Sequence, residues 1–256
     1  MNKRTVVGAT CGTTILAVSG VALAQLITDD ATTPTPEPRA AVMADGLDLL
    51  PSMTPVDWVE SASVVAVVTA VEERSKEIDE ESLQRGEGEV GRWVGLRIDQ
   101  TLWTSSEAAP PPSVVTLSTE GWIWRNHDPE DRTEFGLGGR PRLEVGEQYL
   151  VALTEFPGFA ASDAATCEDD LGPDPTGAKW GVIGEYGSVP VTDGVVGPGE
   201  FQGTLRTLDE ARAAVADAPQ EALRDTLLGQ PPTAVVPHLE RAAKEHPPKP
   251  LPVPTC

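Results

Sequence analysis

The sequence predicts a mainly β domain that ends in one or two helices. Apolar residues come in short β-branched runs or strict alternation, and a helical period sets in only after Thr207. The 24 prolines, about twice ordinary usage, favour turns and short strands over long helices. Hydrophobic residues make up 39% of the chain, an ordinary globular share, so a sizeable core can be buried.

The run 62–71, Ala-Ser-Val-Val-Ala-Val-Val-Thr-Ala-Val, is short and dominated by valine, so it reads as a buried strand. The stretch 72–89 is crowded with charge and closed by Gly86 and Gly88, which marks a long exposed loop or hairpin tip. In 90–103, Val94, Leu96 and Ile98 alternate with Trp93, Gly95, Arg97 and Asp99, the pattern of a two-faced strand. Residues 108–112 break it, and a third strand is expected over 113–124 with Val115, Leu117, Thr119 and Ile123 on one side. The Gly-, Pro- and charge-rich stretch 126–142 reads as turn. Gly146 then leads into a fourth strand from Gln148, and 180–191 holds one or two short strands followed by the turn pair Asp193-Gly194.

Thr207-Leu208-Asp209-Glu210 is a capping box, in which the hydroxyl accepts the Glu210 N–H and the carboxylate reaches back. Leu208, Ala211, Ala214, Val215 and Ala218 follow on one helical face. Pro219 opens a second helical stretch bearing Leu223, Leu227 and Leu228, and Gly229 stops it. The proline-rich tail, 231–256, is expected to build no core of its own.

At the other end, Lys3 and Arg4 precede an uncharged run, 5–27, and Ala22-Leu23-Ala24 has the small-x-small pattern that a signal peptidase reads. Spanning a bilayer takes roughly 20 apolar residues, so this segment is either a leader cleaved after Ala24 or a membrane anchor. A lipoprotein reading through Cys11 fits poorly, because Gly8-Ala9-Thr10 is a weak lipobox. The spacer 28–50 is Thr-, Pro- and acid-rich at its start and has little to bury. The expected location is therefore outside the cell, or anchored to the outer face of the cytoplasmic membrane. There Cys167 and Cys256 either form one disulfide, closing about 90 residues and adding up to roughly 4 kcal/mol, or stay as two free thiols.

The formal charge of -21 argues against a nucleic-acid partner, since such affinity comes almost wholly from Lys and Arg on phosphates. Solubility and solvent exposure explain it most simply. No nucleophile elbow, zinc-protease helix, phosphate loop or Cys-x-x-Cys is present, and no cofactor is expected. His127, Asp128, Glu130 and Asp131 could ligate a divalent metal, as could Glu168, Asp169, Asp170 and Asp174, but neither set has a fixed ligand spacing and a solvated loop accounts for both. The candidate binding residues are Trp122, Trp124 and Arg125. Two indoles two apart on a strand share a face opposite Ile123, where they form a stacking platform for a sugar or an apolar partner unless a loop or helix covers them.

Val64-Val-Ala-Val-Val-Thr-Ala-Val71, Leu96-Arg-Ile-Asp-Gln-Thr-Leu-Trp103, Val145-Gly-Glu-Gln-Tyr-Leu-Val-Ala-Leu153 and the Thr207 helix are similar in order to exported OB-like barrels of the netrin and tissue-inhibitor-of-metalloprotease type. The resemblance implies an OB-like barrel of five to six strands, then one or two C-terminal helices, with disordered ends. The chain lacks the N-terminal cysteine and dense cysteine framework with which inhibitors of that class chelate zinc, so inhibition does not carry over. The expected map is a leader or anchor at 1–27, a linker at 28–50, a barrel at 51–205, packed helices at 206–230 and a tail at 231–256. The expected function is a non-enzymatic binding module for an envelope or extracellular protein or glycan. A hydrolase using rim carboxylates such as Glu120 and Asp128, which would leave no motif, and a secreted protease inhibitor are the competing classes.

Overall fold

Thr54 caps the first helix, and the elements after it wrap a strand whose first half is buried on both faces. The structure, a computed structural model, describes residues 41–44, 50–156, 179–215 and 222–248, all within one compact unit. The order is β1 (Val42–Ala44), α1 (Pro55–Ser61), β2 (Val64–Ser75), α2 (Glu80–Arg85), β3 (Gly88–Thr104), β4 (Val114–Arg125), β5 (Asp128–Leu137) and β6 (Gln148–Phe156). It continues with β7 (Lys179–Val182), β8 (Ser188–Thr192), β9 (Val195–Val196), β10 (Gly199–Phe201), β11 (Thr204–Arg206), α3 (Leu208–Val215), α4 (Leu223–Thr226), a 3-10 turn (Pro232–Val235) and α5 (Val236–Glu245).

Strands β2, β3 and β4 form an antiparallel meander, β6 pairs the free edge of β2, and β7 bridges β6 to β4. The parallel pairing Leu117↔Trp180 closes the circle, so β2-β3-β4-β7-β6 is a five-stranded OB-like barrel. Strands β5 and β1 extend the sheet beyond β4, and β8 and β9 extend it beyond β6.

Alternation on β2 and β6 serves two separate cores. Val64, Ala66, Val68 and Ala70 meet Val94, Leu96, Val115, Leu117, Tyr149, Val151 and Leu153 inside the barrel. Val65, Leu150 and Ala152 point the other way, against Trp58, Val59, Ile183, Leu223, Leu227, Val235 and Leu239. This second core explains why 64–68 are all buried and why the segment reads as an unbroken apolar run.

Helix α1 begins with a full capping box between Thr54 and Asp57 and has Pro55 in its first turn, a start signal present in the sequence and passed over there. Its Trp58 is fully buried and donates its indole N–H to Ser52 O at 2.7 Å. The tail reading needs correcting over 232–245: proline opens both the 3-10 turn and α5 rather than excluding them, and Val235, Leu239 and Ala242 are buried in the outer core. An amphipathic stretch with no core of its own gains one by packing on the barrel's outside.

Two loop readings also change. Residues 72–75 continue β2, and 80–85 form α2, whose N-cap Asp79 accepts the Ser82 N–H and hydroxyl. Within 126–142 the chain turns at Asn126 and His127, both at positive φ, and again over 138–140, where Gly139 has φ 80°. Residues 128–137 form β5, whose charge and Pro129 suit a strand near the sheet edge. Elsewhere the expected strands, the Gly146 and Asp193-Gly194 turns and the Thr207 capping box all appear. Of the helical face proposed for α3, Ala211 is buried while Ala214 is exposed. Residues 1–27, the Cys167/Cys256 pair and the 168–174 acidic group lie outside the described residues. Among those that are described, no helix is long and apolar enough to cross a membrane.

Candidate binding hollow at the end of β3 and β4

The positions of the two indoles depend on one bulge. Arg92 pairs Thr119 and Val90 pairs Trp122, so Gly91 stands opposite two residues, Glu120 and Gly121. A Cβ on Gly121 would lie 2.2 Å from Val90 O, which is why glycine occupies this close approach. The extra residue reverses the alternation. Trp122 and Trp124 therefore face the same side as Leu117 and Thr119, and Ile123 falls on the other side, the reverse of what strict alternation predicts.

Trp124 is 2% exposed, beside Gly88 across the ladder, and its Nε1 has no hydrogen-bond partner among the described residues. Trp122 is half-buried with guanidinium groups over its ring, Arg142 at 5.1 Å and Arg132 at 5.9 Å. Arg125 is exposed. The pair is thus no open platform of two indoles: one ring is packed away and the other is held by arginines.

A hollow of about 530 Å³ does form there, between α2 with its flanks and the paired ends of β3 and β4. Asp79, Ser82, Arg85, Glu89, Trp124 and Arg125 are among the residues that line it. Hydrogen bonds from the Ser82 hydroxyl and backbone hold the Asp79 carboxyl below the usual carboxylate range. Arg85 reaches Glu81 at 2.7 Å and Ser82 Oγ at 2.9 Å. The wall is fixed from behind by the hairpin tip: His127 N donates to Gly86 O at 2.8 Å, and Gly86, at φ 79°, has no Cβ where the imidazole lies. His127 is thereby placed as a packing residue on the α2 cap. Asp128 accepts from the backbone of Glu130 and Asp131, an ordinary turn, and no group of three or more metal-ligating side chains occurs among the described residues.

Sequence reasoning missed a second assembly, an ion-paired plug at the barrel mouth. Arg92 is fully buried, donates Nε to Glu120 O at 2.8 Å, pairs with Glu73 and lies 3.9 Å from Glu144. Arg142 donates to Gly121 O at 2.6 Å and Phe135 O at 3.1 Å, and its Nε sits 2.7 Å from Glu144 as an ion pair without hydrogen-bond alignment. Tyr149 donates to Arg142 O at 3.0 Å, and burial pushes its phenol well above the usual range. Burial raises the Glu120 carboxyl, but Arg140 and the Thr119 hydroxyl outweigh it and leave it below its ordinary value. Glu200 goes the other way: burial pushes it up to about 7, although it accepts from Gly203 N and Arg142 N. The only sequence signal for the plug is that Arg92 falls on the apolar side of an alternating strand.

No family model, curated protein or solved structure matches the chain.

Proposed function

We propose that this domain is a non-enzymatic binding module working outside the cytoplasm, and that it holds an envelope or extracellular glycan or protein segment in the hollow beside Trp124. The observation that carries the reading is the hollow itself, lined by the exposed Arg125 and by Trp124, whose indole N–H has no acceptor among the described residues. OB barrels as a class bind ligands on their second and third strands and the loop joining the first two, which here are β3, β4 and the α2 connection. That support is analogy, because fold alone does not assign function. Export rests on the Lys3, Arg4 and Ala22-Leu23-Ala24 pattern, and the netrin-type likeness on strand order followed by a terminal helix.

In the competing hydrolase reading Glu120 would have to be the base or nucleophile and not the proton donor, because its pairing with Arg140 keeps it ionised. Glycan and peptide arrays probed with the full chain test the reading, followed by titration of any hit. Binding that falls tenfold or more in Trp124→Phe and Arg125→Ala supports it. Turnover of an array component that is lost in Glu120→Gln, or hits unaffected by both hollow variants, overturns it.

A further inference from the structure

A smaller hollow, of about 220 Å³, lies away from the Trp124 site, between the β10–β11 hairpin, β8, α3 and α4. Its apolar wall includes Pro190, Phe201, Ala214, Val215 and Leu228, and its charged groups are Arg206, Arg224 and the Asp225 carboxylate. The two arginines differ. Arg224 is committed to the fold: it donates to Gly139 O, lies 3.4 Å from Glu185 O, pairs with Asp225 at 3.5 Å and stacks 4.0 Å from the Tyr186 ring. Arg206 has its guanidinium 3.8 Å from the Phe201 centroid, its Nε is buried with no acceptor, and it makes no ion pair among the described residues.

The carboxylates that reach Arg206 are each engaged elsewhere. Glu210 closes the cap on Thr207, Asp225 pairs with Arg224, and Glu200 accepts from Arg142 and Gly203. Burial and the neighbouring Arg224 charge both disfavour the protonated guanidinium of Arg206. A half-buried cation with no ion-pair partner of its own is only partly compensated, and an anion that also covers the apolar wall would relieve both defects.

We propose that this hollow is a second binding site, independent of the Trp124 reading, for a small carboxylate on a short apolar chain, with Arg206 holding the carboxylate. The space of about 220 Å³ suits a short apolar chain of about six carbons. Full-length protein is titrated with hexanoate by ligand-observed NMR, with hexanol, hexylamine and N-acetyl-leucine as comparisons. Saturable hexanoate binding at least tenfold tighter than hexanol or hexylamine is expected, and Arg206→Gln and Ala214→Trp should each weaken it tenfold or more. Ala214 is exposed on α3, so its tryptophan variant fills the hollow without entering a core and decides the matter if Arg206→Gln fails to fold. N-acetyl-leucine binding better than hexanoate would support a peptide C-terminus as the source of the carboxylate, and the reverse order a free short-chain acid. Absence of binding by both carboxylates, equal binding of hexanol, or retention of full affinity in Ala214→Trp overturns the proposal.

Discussion

The barrel interior and the core outside it share β2 and β6 yet are built on opposite plans. The interior is a β2-β3-β4 meander closed by β6 and β7 from later in the chain, every wall a hydrogen-bonded strand, and it is sealed at its mouth by Arg92, Arg142, Glu73 and Glu144. The outer core is assembled from far-separated pieces, α1 before the barrel and α4, the 3-10 turn and α5 after it. The difference teaches that a barrel with all its strands paired still exposes an apolar face, and that segments flanking the barrel on both sides in sequence cover it.

Trp58→Ala is expected to have the largest effect. It removes a fully buried indole from the outer core and orphans Ser52 O, costing about 4 kcal/mol in chemical denaturation. If the outer core were a mere appendage, the loss would stay below about 1 kcal/mol, the level of a surface change. Arg92→Met tests the interior next. Leaving Glu73 and Glu120 O without their partner should cost about 3 kcal/mol, and a neutral or stabilising result would mean the plug serves specificity instead of stability.

Glu200 sharpens the comparison through pH. Its folded value of about 7 lies above its unfolded one near 4.5, so the stability it contributes is complete below the unfolded value and is lost as pH rises through the folded one. Between pH 4.5 and pH 7 the wild type should therefore lose on the order of 2 kcal/mol relative to Glu200→Gln, read from paired denaturation curves. Parallel curves for the two proteins would refute the buried, protonated state. Thr54→Ala should show the smallest effect, about 1 kcal/mol, because it removes one reciprocal cap at the start of α1.

Legibility followed how local the cause was. Val94, Leu96 and Ile98 announce β3, and Asp193-Gly194 announces the β8–β9 turn, because side-chain period and positive φ are properties of neighbours in sequence. The two candidate indoles were placed on the wrong face relative to Leu117 and Thr119: a bulge made possible by Gly121 turns Trp122 and Trp124 round, and nothing in the alternation of β4 records it. The Arg92 plug and the Arg206 hollow were out of reach, since their members are brought together from different strands and helices.

From the residues alone follow the strand-rich class, the capped helix after Thr207 and the acidic surface, each being set by periodicity, backbone chemistry or charge count. Tertiary structure alone decided which face of β4 carries its indoles, that α5 rather than a loose tail completes a core, and that the buried Arg206 Nε has no acceptor among the described residues. Those outcomes depend on distances between groups far apart along the chain, and only closure of the barrel sets such distances.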